Sequence, residues 1–115
     1  MTTVTLYRDE AGVVLGFLAR GHAGQAGEGS DIVCSAVSAL TQTVVNALES
    51  VAGVQPVTRT GDGLLEALLP PQLTEAQRHD SAVILQTLVQ GLGDIQASYP
   101  QYVRVKSKDW EGNIC

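Results

Sequence analysis

The hydrophobic spacing changes period along this chain, and that change limits the folds open to it. From Thr3 to Tyr7, Val4 and Leu6 alternate with Thr3, Thr5 and Tyr7, the period of a half-buried strand. From Asp31 to Ala52 the spacing lengthens. Ile32, Val33, Ala36, Val37, Leu40, Val44, Ala47, Leu48 and Val51 recur at three- and four-residue steps, a broad apolar stripe on a helix facing a core. The strand pattern returns after Gly53, and a second helical row follows in Ile84, Leu88, Leu92, Ile95 and Tyr99. A chain that alternates in this way has to stack helices on a sheet.

Turn residues punctuate the pattern. Arg8 to Gly12 is a polar turn, and Val13 to Arg20 reads as a second strand that makes a hairpin with the first. Ser30 or Asp31 is in position to cap the first helix, and Gly53 to stop it. Val54 to Thr60 and Leu64 to Leu69 read as strands joined at Gly61-Asp62-Gly63, where glycine accepts positive φ. Pro70-Pro71 ends that hairpin. Thr74 and Gln77 fit a capping box for the second helix, which runs to about Ser98. Gly91 and Gly93 weaken that helix by about 1 kcal/mol each relative to alanine, which suggests close packing there. Tyr102 to Lys106 reads as a last strand, and Ser107 to Cys115 as a frayed tail. The expected fold is α+β, a two-layer, mostly antiparallel sheet of about five strands in the order ββ-α-ββ-α-β with both helices on one face. The expected organisation is a single domain over residues 1–115.

The totals narrow the function. With 4% aromatics the core must come from aliphatic residues, and few rings are left to stack bases. A formal net charge of −5 points away from direct nucleic-acid binding, which needs clustered Lys and Arg. The start, MTTVTLYRDE, lacks the basic and apolar regions of a signal peptide, and no apolar run looks long enough to span a membrane. The expected location is the cytoplasm, where Cys34 and Cys115 stay reduced.

The chemistry gathers between Arg20 and Leu40, RGHAGQAGEGSDIVCSAVSAL, which holds His22 and Cys34. A glycine-rich loop running into a helix resembles a phosphate cradle. The chain lacks the GKS or GKT ending of such a loop, and no basic residue falls between Gly21 and Val45. A metal site finds only His22 and Cys34 close in sequence, against the usual four ligands, and none is expected. His79, between Arg78 and Asp80, reads as an exposed helix residue. Cys34 falls in the first turn of the expected helix, where free N–H groups favour a thiolate and can bind an oxyanion. His22 lies twelve positions before it and can serve as its base. A small buried cysteine explains the same IVCSAV context. The residues by themselves leave both readings open.

The run Gly21-His22-Ala23-Gly24, Ala26, Gly29, Asp31-Ile32-Val33-Cys34 and Ala36-Val37-Ser38-Ala39-Leu40 resembles the bacterial ribosomal-processing cysteine protease family, Prp. Asn46, Leu48-Glu49, Gly91-Leu92, Ile95 and Tyr99 extend the resemblance over essentially the whole chain. Gln25 departs from it, standing where the family often has a bulky residue. The resemblance implies a small α/β homodimer without cofactor that removes a short N-terminal extension from a large-subunit ribosomal protein. It implies Cys34 as nucleophile, His22 as general base and acid, and Asp31 and Ser38 in support. Gly21, Gly24, Gly27 and Gly29 would belong to a loop that orders over the substrate. The implied partner is a ribosomal protein precursor, with no membrane and no direct nucleic acid. The alternative is a non-catalytic module that holds a peptide or ribosomal protein on the same fold, and a weaker one is a redox-sensing thiol.

Overall fold

The computed structural model of the chain describes the backbone of residues 1–21 and 28–110, and the side chains of 1–21 and 31–110. Five strands and two helices follow in the expected order. These are β1 (Thr2–Arg8), β2 (Val14–Arg20), α1 (Glu28–Ser50), β3 (Val57–Gly61), β4 (Leu64–Leu68), α2 (Glu75–Ser98) and β5 (Val103–Asp109). They form one sheet in the order β3-β4-β2-β1-β5. Three of the four pairings are antiparallel, and β1–β5 is parallel, so the sheet is mixed. The crossover from β4 through α2 to β5 makes the parallel pair possible, because two parallel strands cannot be joined by a tight turn.

The register sorts the side chains. Leu6 lies opposite Phe17, Val4 opposite Ala19, and Phe17 opposite Ala67, so these share one face. All are buried there with Val103. Both helices pack on each other and on the sheet from this side. Val33, Val37, Val44 and Leu48 of α1 meet Leu85, Leu88 and Leu92 of α2 in the shared core.

Several local signals act as expected. Thr74 and Gln77 exchange both bonds of the capping box, at 3.1 and 3.0 Å. Gly53 closes α1 at φ +66°, its N–H donating to the Glu49 carbonyl. Gly63 takes the same φ in the β3–β4 turn. Gly91 packs against Leu40 of α1 so closely that a Cβ would stand 2.7 Å from Leu40 Cδ2. Gly93 faces open space, and the packing argument does not extend to it.

Four expectations are corrected. Helix α1 begins at Glu28, so Ser30 and Asp31 lie within its first turn and not at the N-cap position. Its buried stripe omits Ile32 and Val51, both more than half exposed, and includes Thr41, whose hydroxyl is satisfied by the Val37 carbonyl at 2.8 Å. The stretch Asp31–Ser50 is apolar and long enough to cross a bilayer by length and composition, although its valine stripe is used in the core. Ser107 to Asp109, read as part of a frayed tail, continue β5 in register with Leu6 to Arg8. The chain then holds Trp110 against Tyr7, ring centroids 4.8 Å apart. The rest of that tail, with Cys115, lies outside the described residues.

Candidate active site

Strand β2 ends at Arg20 and delivers Gly21 to one end of the sheet. The Gly21 N–H donates to the Gly63 carbonyl at 3.0 Å, tying the end of β2 to the β3–β4 turn. On its other side Gly21 abuts Thr2, since a Cβ would stand 2.8 Å from Thr2 Oγ1. Thr2 is fixed in turn by its N–H bond to the Tyr102 carbonyl. The backbone at Gly21, one residue before His22, is therefore set by three separate parts of the chain.

Across from this end runs α1. Between the two lies a cleft of about 240 Å³, walled by Gly21, Gly61 and Gly63 on the sheet side and by Cys34, Ser38, Thr41 and Gln42 on the helix side. Cys34 is a free, half-buried thiol. Ser38 follows it by one helical turn and lines the same cleft. Larger cavities lie elsewhere. One of about 410 Å³ sits between the β1–β2 turn and α2, and another of about 420 Å³ on the far face of the sheet. Neither contains a nucleophile of comparable character.

The early start of α1 changes the electrostatics expected at Cys34. The free N–H groups of a helix belong to its first four residues, here Glu28 to Asp31. Cys34 is three residues beyond them, about 4.5 Å along the axis. The effect of the helix dipole falls off within the first turn. Activation of the thiol therefore needs a partner side chain more than the helix end.

The cleft brings together Cys34, Ser38 and Gly21 of the expected residues. Asp31 is half-buried in α1, and Gly29 is in that helix rather than in a loop. His22, Gly24, Gln25 and Gly27 lie outside the described residues. His79 is exposed on α2, its Nδ1 3.0 Å from Asp80, away from the cleft as read from sequence. The sequence reading missed Thr2, Thr41, Gln42 and the β3–β4 turn as walls. Thr41 left a signal, a polar residue in phase with the valine stripe four positions after Val37. The turn left none, because only long-range strand pairing carries it to Gly21.

A half-buried cysteine in a cleft with hydroxyl and amide neighbours on an α+β scaffold defines a candidate thiol site. Comparison with known proteins gives that class its family. The profile of the family described as "Cysteine protease Prp" matches residues 1–104, and the chain belongs to this family of cysteine proteases. It is 29% identical over 107 residues to the ribosomal processing cysteine protease Prp of Bacillus subtilis (strain 168), covering 91% of this chain and 96% of that one. The ribosomal processing protease Prp of S. aureus, solved with a substrate peptide, superposes with a TM-score of 0.82 at 26% identity, over 94% of this chain and all of that one. SMU.848 from Streptococcus mutans superposes with a TM-score of 0.81 at 27% identity, over 96% of each chain.

Proposed function

We propose that the protein is a cysteine endopeptidase that removes a short N-terminal extension from a large-subunit ribosomal protein, with Cys34 as nucleophile and His22 as general base and acid. One observation carries this reading. Cys34 opens into a cleft whose opposite wall is Gly21, the residue that immediately precedes His22. The likeness to a ribosomal processing protease solved with a substrate peptide supports the substrate class.

In this reading His22 takes the Cys34 proton as Sγ attacks the scissile carbonyl carbon. The tetrahedral intermediate collapses with cleavage of the C–N bond, and the imidazolium returns the proton to the departing amine. A thioester remains on Cys34. Water attacks it, His22 receives the water proton, and the thiol is restored as the carboxylic acid leaves. Ser38 supports the site from the next turn of α1, and Asp31 from its first turn. Gly21, Gly24, Gly27 and Gly29 belong to the segment that meets the substrate. The enzyme acts as a homodimer in the cytoplasm, which sedimentation and fractionation check.

Mass spectrometry of the ribosomal protein precursor, incubated with wild type, Cys34→Ala and His22→Ala, tests the proposal. Wild type should release the N-terminal peptide and both variants should not. Cleavage by Cys34→Ala at the wild-type rate would sink it. The early start of α1 favours one alternative, a peptide-binding module, because it removes one source of thiol activation. That reading requires wild type to bind the precursor peptide and leave it intact, with the same affinity as Cys34→Ala.

A further inference from the structure

The sheet face turned away from the helices carries most of the positive charge of this acidic chain. The register aligns Arg59, Glu66, Leu18, Thr5 and Lys106 in one row across all five strands. Arg20, Thr3 and Arg104 align in the next row, and Tyr7 and Lys108 in the row on the other side. Of the 7 Lys and Arg residues, only Arg8 and Arg78 lie elsewhere. Glu66 is the one carboxylate at a strand position of this face among the described residues. It is already engaged, accepting from Arg59 at 3.1 Å and from the Tyr7 hydroxyl at 2.8 Å. Arg104, Lys106 and Lys108 are exposed and form no ion pair among the described residues.

We propose that this face is a docking surface for the phosphodiester backbone of single-stranded RNA. Arg104, Lys106 and Lys108 recur at every second residue of β5, about 6.6 Å apart along the strand. That makes a linear track of cations, with Arg20 beside it. Within it is a recess of about 420 Å³ lined by Thr3 and Thr5 under Arg20, Lys106 and Lys108. Hydroxyls beneath cations are the donors that phosphate oxygens take. Basic residues on an edge strand also discourage edge-to-edge pairing. That accounts for β5 and for Arg59 on β3, the other edge, but not for Arg20 on the interior strand β2. An isologous contact with a second copy would bring like charges together. Tyr7 is 5% exposed and Trp110, packed against it, is half-buried, so little ring surface is left to stack bases and binding through phosphates is independent of base sequence. The net charge of −5 hid this face, because the acidic residues lie mostly on the helices and turns. The choice of RNA over DNA rests on the proposed function, whose substrate is a ribosomal protein.

The test is fluorescence anisotropy of a labelled, mixed-sequence, single-stranded RNA 12-mer with the Cys34→Ala chain. Binding at about 50 mM salt should weaken towards about 200 mM, with a log–log slope of about −2 to −3 for three or four neutralised phosphates. Lys106→Glu with Lys108→Glu should weaken it at least tenfold, and the two Gln substitutions should do so less. Arg78→Glu, on the helix side, should leave it unchanged. Absence of RNA binding at the lower salt overturns the proposal. So does undiminished binding in a Glu pair that melts at the wild-type temperature. Displacement of the RNA by an equal concentration of a glutamate 12-mer would assign the face to an acidic protein segment instead. A wild-type dimer that the Glu pair dissociates in sedimentation would assign it to a second copy. Precursor cleavage by the wild-type chain is read separately. RNA binding without cleavage removes the proposed function alone, and cleavage without RNA binding removes the docking surface alone.

Discussion

The backbone N–H of Gly21 donates to the carbonyl of Gly63 at 3.0 Å, joining the end of β2 to the β3–β4 turn at the rim of the cleft that contains Cys34. The approach depends on glycine at position 21. A Cβ there would meet Thr2 Oγ1 at 2.8 Å and two further Thr2 carbons at 3.3 Å. Gly21→Ala is expected to cost about 1–3 kcal/mol through overpacking. Thr2→Ala in the same chain should restore part of that loss. Denaturant melts of the two single variants and the double variant measure the coupling, and additive losses would contradict this account.

The two glycines late in α2 should respond differently to alanine. Gly93 faces open space, and Gly93→Ala is expected to stabilise the protein by up to about 1 kcal/mol through helix propensity. Gly91→Ala gains the same propensity but must push Leu40 Cδ2 away from 2.7 Å, so its gain should be smaller or absent. Thermal melts of both variants give the comparison. A larger gain at Gly91 would mean that Leu40 yields at no cost.

Tyr7 gives stability a dependence on alkaline pH. Its pKa is raised to about 12, first by burial and then by its hydroxyl bond and proximity to the Glu66 carboxylate. Because the folded state holds the proton more tightly than the unfolded chain does, the associated stability is complete below about pH 10 and is lost as pH rises towards 12. Tyr7→Phe should cost about 1 kcal/mol at neutral pH and flatten the decline above pH 10. Melting temperatures of both proteins from about pH 8 to 12 test this. Equal slopes would remove Tyr7 as the cause.

Ser38 stands one turn from Cys34 in the cleft. Ser38→Ala preserves the space and should lower kcat/KM for the precursor peptide by less than about tenfold, the range of one neutral hydrogen bond. Ser38→Phe fills the cleft and should lower it by more than that, chiefly through KM. Steady-state kinetics separate the two, and a fully active Phe variant would show that substrate does not use this part of the cleft.

Local chemistry made much of the fold legible in advance. The capping box at Thr74, the positive φ of Gly53 and Gly63, and the alternation in β1 each depend on a few adjacent residues. What escaped depended on distant ones. The tail of β5 looks polar and unstructured because KSKD carries no buried face. It is a strand because β1 offers its free edge along the whole length from Thr2 to Arg8. The start of α1 at Glu28 extends through Gly29 and Ser30, which weigh against a helix on propensity alone. At the site, Cys34 and Ser38 were readable from helical spacing, and the glycine-rich run pointed to Gly21.

The sequence by itself determined the succession of elements, the aliphatic core and the family, because these reside in periodicity, turn residues and a contiguous motif. Tertiary structure decided which walls face Cys34. The Gly61 to Gly63 turn and Thr2 reach the cleft only through pairing across the sheet, between residues far apart in the chain. It also decided where the charge lies. Strand register gathers Arg20, Arg59, Arg104, Lys106 and Lys108 on one face, and a count of charges along a sequence holds no register.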